Sequence, residues 1–401
     1  MCRAATAIIL SSALVLASAP VAAARPAWKT KIDRLVSGRA MGVAVRHEGD
    51  FIYRRKAGAR RTPASNQKLL ASMALLDTLG PAHRAPTTAR GTVVGGVVTG
   101  DLWIVGRGDP TLANGKHYPR SLSVEATPIG RLARRIARTG VTRVAGRVMG
   151  SRTYFAHDWY APGWKPDFPD RYVALPSALS INGNTRSGHH IDRPERRLAR
   201  LFTQRLVAAG VDVDGPPGDG SVPTGLPVVA RVTSAPLSAL LLHVNRQSSN
   251  FFAEVLGKRL GVAAKGVPGT IAKGAVAIEE WTATNGVVVE AFDSSGLSYR
   301  NEVSPQGLVR LLDVAADETW GWILRSSLPK GGWGTLGGRL EDTRVRAKTG
   351  TLSSISALSG WVWLQHRDSW AEFAILSKGM PKHVAASIED RIVRILNRRG
   401  R

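Results

Sequence analysis

The sequence is poor in cysteine and in acidic residues. The first shortage limits its possible covalent chemistry, and the second limits the partners that its charge can attract. Its one cysteine, Cys2, lies at the extreme N-terminus, so a mature chain without it would have neither disulfides nor thiol catalysis. There are 30 Asp and Glu against 55 Lys and Arg, a formal net charge of +25. Such a charge favours anionic partners, namely nucleic acid, acidic lipid head groups or an anionic wall polymer.

The sequence also lacks the signs of nucleic-acid binding. It has no dense Lys/Arg block and no basic strip interleaved with aromatic residues, which is the pattern that holds single strands. We therefore interpret the charge as an arginine-rich solvated surface and predict no nucleic-acid partner. An anionic wall polymer or a membrane surface remains a candidate partner.

Long apolar runs are scarce as well, and the one run of note is N-terminal. Arg3 precedes a mostly apolar stretch over 4–21, and Ala22-Ala23-Ala24 supplies the small residues that a signal peptidase reads. We predict a signal peptide over 1–24 and an exported protein, periplasmic, extracellular or associated with the cell wall. A retained signal anchor is the alternative. No other segment approaches the roughly 20 apolar residues of a membrane span.

Periodicity of the apolar residues predicts a mixed α and β chain, and 401 residues suit two domains or one domain interrupted by another. Helices are predicted at 67–79, 129–139, 196–209, 237–244, 250–260, 270–285 and 383–397. Strands are predicted at 42–46, 51–54, 91–94, 102–106, 345–351, 357–364 and 370–376. Residues 216–220 and 223–227 are rich in Pro and Gly and predict surface loops.

The C-terminal helix is basic and amphipathic. Its apolar face consists of Val384, Ile388, Ile392 and Ile395. We expect this face to pack on the neighbouring sheet, and contact with anionic lipid is the alternative.

A serine and a lysine lie three residues apart at the start of the helix predicted at 67–79. In Ser65-Asn66-Gln67-Lys68 the two side chains lie three residues apart and would meet. A serine hydroxyl needs a neighbouring base, and a lysine amine can serve if its pKa is lowered. Roughly one S-x-x-K arises by chance in a chain of this length, so the capped helix with a solvated lysine stays open at this point.

Two further motifs offer groups that a peptide-cleaving site needs. Ser248-Ser249-Asn250 precedes a helix and can present a hydroxyl for proton transfer and an amide for a substrate carbonyl, although a helix cap is its default interpretation. In Lys348-Thr349-Gly350-Thr351, two hydroxyls and a cation suit a terminal carboxylate, and Gly350 would let a substrate backbone approach. An exposed Thr-rich strand end is the alternative.

The order S-x-x-K, S-x-N, K-T-G resembles that of penicillin-binding proteins and serine β-lactamases. The chain is similar, over nearly its whole mature length, to the class C low-molecular-mass penicillin-binding proteins, the D-alanyl-D-alanine carboxypeptidase/endopeptidase family. The stretches that carry the resemblance, besides the three motifs, are 106–112, 180–184, 295–298 and 334–336.

The resemblance implies an α+β fold. We expect a transpeptidase/β-lactamase-like domain, an antiparallel sheet flanked by helices, formed by residues 25–89 and 232–401. A large β-rich domain would be inserted at 90–231, after the S-x-x-K helix. The gap from Lys68 to Ser248 is short for the family, so one inserted subdomain is expected to be trimmed or absent.

The resemblance also implies a mechanism. Ser65 is the expected nucleophile, Lys68 its base and Ser248, with Lys348, the donor of a proton to the leaving group. Backbone N–H groups of Ser65 and Thr351 would form the oxyanion hole. Asn250 would orient the stem peptide, and Lys348, Thr349, Gly350 and Thr351 would bind its terminal carboxylate. The expected activity is a serine D,D-peptidase on peptidoglycan stem peptides, acylated by β-lactams and needing no cofactor or metal.

Some features depart from this pattern or favour other functions. Where the family has D-G-S-G-L-S-R, this chain has Asp293-Ser294-Ser295-Gly296-Leu297-Ser298-Tyr299-Arg300, so that loop is expected to differ. A serine β-lactamase is an alternative, although no E-x-x-x-N loop is present, and so is a non-catalytic wall-binding scaffold. His189, His190 and Asp192 lack a clear further ligand for zinc. Arg107-Gly108-Asp109 is interpreted as a turn, and no G-x-S-x-G elbow occurs.

Overall fold

The computed structural model describes residues 1–2 and 26–398, so the predicted signal peptide lies outside the described residues except for its first two. The chain begins with helix α1 (Ala27–Val36) and a hairpin of β1 (Met41–His47) and β2 (Asp50–Arg55). A 3₁₀ turn at Ala64–Asn66 then leads into helix α2 (Gln67–Leu79), which ends at Gly80 as predicted. Strands β1 and β2 contain the stretches predicted at 42–46 and 51–54.

The middle of the chain contains short strands and four helices among the described residues. The strands are β3 (Pro86–Arg90), β4 (Val93–Val94), β5 (Val97–Val98), β6 (Leu102–Gly106), β7 (Leu112–Ala113), β8 (Thr127–Pro128), β9 (Arg143–Val144), β10 (Val148–Ser151), β11 (Thr185–Arg186), β12 (His189–His190), β13 (Asp212–Val213), β14 (Gly218–Gly220) and β15 (Val228–Thr233). The helices are α3 (His117–Ser121), α4 (Ile129–Ala137), α5 (Phe168–Arg171) and α6 (Pro194–Val207).

The last part of the chain is mainly helical and ends in three long strands and a helix. Its helices are α7 (Leu237–Gln247), α8 (Asn250–Lys265), α9 (Ile271–Thr284), α10 (Pro305–Asp317), α11 (Gly321–Ser327) and α12 (Lys382–Asn397). Its strands are β16 (Val345–Leu352), β17 (Ile355–Leu364) and β18 (Ser369–Lys378).

The main sheet joins the two ends of the chain. Its order is β16-β17-β18-β1-β2, and all its neighbours are antiparallel. Side chains alternate between its faces, as the strand period of two requires. Val43, Leu358 and Ile375 pack with α1 and α12 on one face. Ala357 and Leu376 pack on the other face with helices that include α2, α8 and α10. The sequence's expectation of an antiparallel sheet flanked by helices is confirmed.

A second five-stranded sheet has the order β14-β10-β6-β3-β15 and mixes parallel with antiparallel pairs. It shares a hydrophobic core with α4 and α6. Strands β3 and β15, which lead into and out of this region, pair with each other. The domain boundaries expected at 90 and 231 fall at these two strands, and we retain them as a proposal.

Several elements differ from their prediction for identifiable reasons. Residues 218–220 form a strand, β14, parallel to β10, instead of part of a surface loop. Two of its three residues are glycine, so no hydrophobic alternation marks it. Helix α10 is not among the predicted helices, although Ser304 as its cap and Pro305 at its first position mark its start in the sequence.

The C-terminal helix packs on the sheet, as predicted. Ile388 and Ile392 are buried together with residues of the main sheet and α1. That face is therefore not available to lipid. Within the described part of the chain, no helix combines the length and the apolar character needed to cross a bilayer.

Ile392→Ala should lower the free energy of unfolding by about 2–5 kcal/mol, because Ile392 is fully buried under the sheet. Ile395→Ala, on the same helix at a half-buried position, should cost clearly less. Urea denaturation of both variants checks this. Equal losses, or a loss from Ile395→Ala alone, would contradict the packing of α12.

Candidate active site

Ser65 lies in the tight turn that precedes α2. Ala64 has a positive φ of 48°, so the turn is a strained one for a residue with a side chain. The turn is held from two sides by glycines. A Cβ at Gly296 would lie 1.9 Å from the Ala64 carbonyl oxygen, and one at Gly350 would lie 2.7 Å from the Pro63 carbonyl oxygen. The packing of these two segments fixes where the Ser65 side chain emerges.

The amine of Lys68 is fully buried and fully bonded. Its Nζ donates to Ser65 Oγ at 3.2 Å, to Asn250 Oδ1 at 2.8 Å and to the Ser295 carbonyl oxygen. Burial lowers the pKa of Lys68 to about 8, against the opposing charges of Asp293 and Glu254. A minority of these amines is therefore neutral at pH 7, and this fraction can accept the Ser65 proton.

Ser248 and Lys348 form a second hydroxyl–amine pair. Ser248 ends α7 in the left-handed conformation, with φ 55° and ψ 38°. Lys348 Nζ donates to Ser248 Oγ at 2.9 Å and to the Thr349 carbonyl oxygen at 2.8 Å. Burial, followed by the charges of Lys68 and Lys382, lowers the pKa of Lys348 well below its usual value.

The helix cap expected by default for this motif belongs to its middle residue. Ser249 caps α8 by accepting from the Phe252 backbone N–H. Ser248 and Asn250 are thereby left to face the site, and the Asn250 amide also donates to the Tyr172 carbonyl oxygen at 3.0 Å. The motif therefore serves both purposes, a cap and a pair of polar groups in the site.

Two buried acidic residues, Glu254 and Asp293, form an acidic layer whose charge acts on the Lys68 amine. Glu254 Oε1 accepts from the backbone N–H groups of Ser294 and Ser295, at 3.1 and 2.7 Å. Asp293 accepts from the Trp164 indole at 2.6 Å and from the Gly296 N–H at 2.9 Å. Burial, and next the charge of Asp293, raises the pKa of Glu254 to about 8. These bonds fix the loop whose Ser295 carbonyl holds Lys68.

The departure of this loop from the family pattern is accommodated locally. Ser294 stands where the family usually has glycine, and it is fully buried. A Cβ at Gly257 of α8 would lie 2.0 Å from Ser294 Oγ. The glycine on the facing helix therefore makes the room that the serine side chain needs.

The predicted residues meet in one cleft of about 680 Å³. Five of them line it: Ser65, Ser248, Asn250, Thr349 and Thr351. Lys68 and Lys348 are fully buried beside it, each bonded to one of the lining serines.

Gly350 has a neighbour that the sequence did not predict. The space beside its Cα is taken by Pro63 O and by Ala64 Cβ, which a Cβ at 350 would meet at 3.2 Å. The expectation placed a substrate backbone there. In the structure the absence of a side chain lets strand β16 lie against the Ser65 turn.

The cleft also contains residues that no local motif singled out. Thr335 accepts from Thr349 Oγ1 at 2.8 Å. Lys382, the first residue of α12, donates to Ser356 Oγ at 2.7 Å and to the Gly350 carbonyl oxygen at 3.3 Å. Arg339 also lines the cleft. The family-like stretch at 334–336 could have pointed to Thr335, whereas Lys382 carries no signal in its own sequence neighbourhood.

Two other motifs lie away from this chemistry. Asp109 is fully buried and accepts from the Thr111 backbone N–H at 2.8 Å, so its tripeptide forms a turn that cannot present the carboxylate to a partner. His190 bonds to the Pro169 carbonyl oxygen. Among the described residues, no group of three or more His, Cys, Asp or Glu is arranged to hold a metal ion.

The comparisons with known proteins agree on one family. The profile of the D-Ala-D-Ala carboxypeptidase 3 (S13) family matches residues 29–189 and 184–399. A D-alanyl-D-alanine carboxypeptidase of Actinomadura sp. (strain R39) is 28% identical over 90% of this chain and 81% of its own length. A carboxypeptidase of Mycobacterium tuberculosis is 31% identical over 78% of this chain and 70% of its own.

The solved structures show the same fold at low identity. Penicillin-binding protein 4 of Haemophilus influenzae is 18% identical and superimposes with a TM-score of 0.78, covering 92% of this chain and 99% of that one. A predatory peptidoglycan endopeptidase of Bdellovibrio bacteriovorus is 16% identical with a TM-score of 0.56, covering 90% and 93%.

The rate at which Ser65 reacts with a fluorescent penicillin should rise with pH and level off above about 9. The reason is that Lys68 accepts the Ser65 proton only when neutral, and the neutral fraction grows as the pH passes its pKa of about 8. Second-order labelling rates between pH 6 and 10 measure this. A rate that stays flat or falls between pH 7 and 9 would contradict Lys68 as the base.

Proposed function

We propose that Ser65 is the acylated nucleophile of this chain. The chain belongs to the D-Ala-D-Ala carboxypeptidase 3 (S13) family and is a serine D,D-peptidase of the class C low-molecular-mass penicillin-binding proteins. Its substrates are the D-Ala-D-Ala ends of peptidoglycan stem peptides and, in a second activity, D-alanine cross-links. The observation that carries the proposal is the 3.2 Å contact between Ser65 Oγ and the buried amine of Lys68.

Acylation begins with transfer of the Ser65 hydroxyl proton to the neutral amine of Lys68. The freed Oγ attacks the carbonyl carbon of the penultimate D-alanine, and the backbone N–H groups of Ser65 and Thr351 bind the resulting oxyanion. The C–N bond then breaks, and the proton that Lys68 accepted passes to the leaving amine through Ser248, whose hydroxyl is bonded to Lys348. The products are a Ser65 ester and free D-alanine.

Water completes the cycle. It adds to the Ser65 ester, the ester bond breaks, and the shortened stem leaves with a new carboxylate while Oγ regains its proton. We assign the orientation of the stem peptide to Asn250, whose amide is held in the cleft by its bonds to Lys68 and to the Tyr172 carbonyl oxygen. A β-lactam follows the same acylation step, but its ring-opened leaving amine stays attached.

The terminal carboxylate of the substrate is assigned to the hydroxyls and cations at one end of the cleft. Thr349 and Thr351 supply hydroxyls on the strand, and Thr335 extends this row. Lys348, a residue of that strand, and Lys382, which donates to its Gly350 carbonyl oxygen, supply amine donors. A carboxylate prefers such a mixture of hydroxyl and ammonium donors.

We also propose export through the predicted signal at 1–24, which would place the enzyme where its substrate is. The β-lactamase and scaffold alternatives remain outcomes of the following test, since the penicillin-binding fold by itself decides neither.

Ser65→Ala should abolish labelling by fluorescent penicillin and release of D-alanine from a pentapeptide stem, because no other group replaces the lost nucleophile. Lys68→Ala should slow both about 10²–10⁴-fold. Ser353→Ala, which also changes a cleft serine, is the matched control and should retain activity. A cross-linked dimer assayed beside the pentapeptide separates endopeptidase from carboxypeptidase action.

The outcomes separate the functions. Rapid turnover of penicillin by the unaltered protein would favour the β-lactamase, and failure of that protein to label would favour the scaffold. Equal D-alanine release by Ser65→Ala would rule out the proposed nucleophile.

Lys382→Gln should raise the KM for a D-Ala-D-Ala substrate about tenfold and change kcat less, because the lost interaction is with a carboxylate already present in the ground state. Lys378→Gln, at an exposed position on the preceding strand, is the control. An analogue ending in an amide should show no such rise. If Lys382→Gln weakens both substrates equally, its role is structural.

A further inference from the structure

A second cavity, remote from the motifs of the active site, is lined by an unusual number of arginines. Its volume is about 420 Å³. The arginines are Arg186, Arg193, Arg196, Arg197 and Arg200. Neither the fold nor the proposed peptidase activity accounts for this concentration of one charge in one concave surface.

The secondary structure brings these guanidinium groups together. Arg196, Arg197 and Arg200 belong to the first two turns of α6, and Arg193 is the residue before that helix. Arg193 and Arg197 lie four residues apart, as do Arg196 and Arg200, which places them in two rows with a spacing of about 5–6 Å. Arg186 projects from the β11–β12 hairpin on the other side.

Little negative charge balances the cluster. Arg193 is paired with Asp219 at 2.9 Å, but Asp219 is also paired with Arg152 at 3.2 Å. Asp192 lines the cavity as well. In the part of the chain that the structure describes, no ion pair joins Arg186, Arg196 or Arg200 to a carboxylate.

Arg197 occupies the centre of the cluster. It is half-buried and donates to the Thr185 carbonyl oxygen. Burial lowers its pKa, and the charges of Arg186 and Arg200 lower it further. The like charges therefore act on one another, and the positive end of the α6 dipole adds to them. An anion bound in the cavity would relieve this repulsion.

We propose that this arginine cavity binds a phosphodiester-linked anionic polymer of the cell wall. Each guanidinium can bond two oxygens of one phosphate, and guanidinium stays charged at every physiological pH. Two rows in which successive arginines lie one helical turn apart suit an anion that repeats along a chain better than a single small ion. The open cavity and the net charge of +25 suit a long polymer.

The arginine cavity is connected to the active-site cleft through the β11–β12 hairpin and α5. The β11–β12 hairpin that carries Arg186 also carries His190, which bonds to the Pro169 carbonyl of α5. Phe168 of that helix, and Tyr172 directly after it, line the active-site cleft. A polymer held in the arginine cavity would therefore keep the cleft close to the wall in which the stem peptides lie.

The test compares two triple variants that lose the same charge. Arg186→Gln, Arg196→Gln and Arg200→Gln together remove three cavity arginines that pair with no carboxylate among the described residues. Arg138→Gln, Arg310→Gln and Arg391→Gln together remove three exposed arginines, one at the end of α4, one on α10 and one on α12. The probe is end-labelled poly(glycerol phosphate), and its binding to the full chain is followed by fluorescence anisotropy in about 0.15 M salt, where only close charges act strongly.

We expect the cavity triple to weaken binding at least about tenfold and the control triple less than twofold, with penicillin labelling unchanged in both. On isolated walls that carry the polymer, the cavity triple should release less product, whereas a soluble pentapeptide should be cleaved at the normal rate. This last pair of readouts separates failure of the cavity proposal from failure of the peptidase proposal.

Three results would overturn the proposal. Equal weakening by both triples would mean that the overall charge, and not the cavity, attracts the probe. Tighter binding of poly-L-glutamate of matched charge would replace phosphate by carboxylate as the ligand. Tighter binding of a single-stranded oligonucleotide of matched charge would assign the cavity to nucleic acid.

Discussion

The burial of one ammonium group, that of Lys68, is the constraint on which the site depends. A buried amine must find a hydrogen-bond partner for each of its protons, and the Lys68 amine finds them in Ser65, Asn250 and Ser295. These partners come from three separate segments of the chain. The same burial lowers the pKa of the amine, so the packing that assembles the site also makes this amine a better proton acceptor.

The acidic layer beneath Lys68 limits how far this effect goes. Glu254 and Asp293 oppose the loss of the lysine proton, while Glu254 itself is pushed toward its neutral form by burial. The two carboxylates also accept from backbone N–H groups of the loop at 293–298 and fix its position. The same carboxylates therefore influence both the pKa of Lys68 and the position of the loop that bonds it. Ser294, unusual for the family, fits because Gly257 faces it. The position of the Lys68 amine beside Ser65 thus depends on the packing of Ser294 against Gly257.

Local sequence patterns predicted much of this protein because they reflect local physics. The apolar period of α2 and its stop at Gly80, the three C-terminal strands and the burial of Ile388 and Ile392 all follow from side-chain spacing. Strand β14 was missed because a glycine strand has no apolar alternation to detect. Lys382 was not predicted as a cleft residue. It lies beside Gly350 because α12 packs on the sheet, and no residue near Lys382 in the sequence indicates that contact.

By itself the sequence determined the class of reaction, since S-x-x-K, S-x-N and K-T-G occur in that order and each motif can be recognised from a few neighbouring residues. Only the tertiary structure decided how these groups act on one another. It placed Lys348 on Ser248, gave the space beside Gly350 to the Ser65 turn instead of a substrate, and gathered five arginines around one cavity. The reason is physical: a motif specifies donors and acceptors, whereas burial, distance and unbalanced charge exist only between segments that folding brings together.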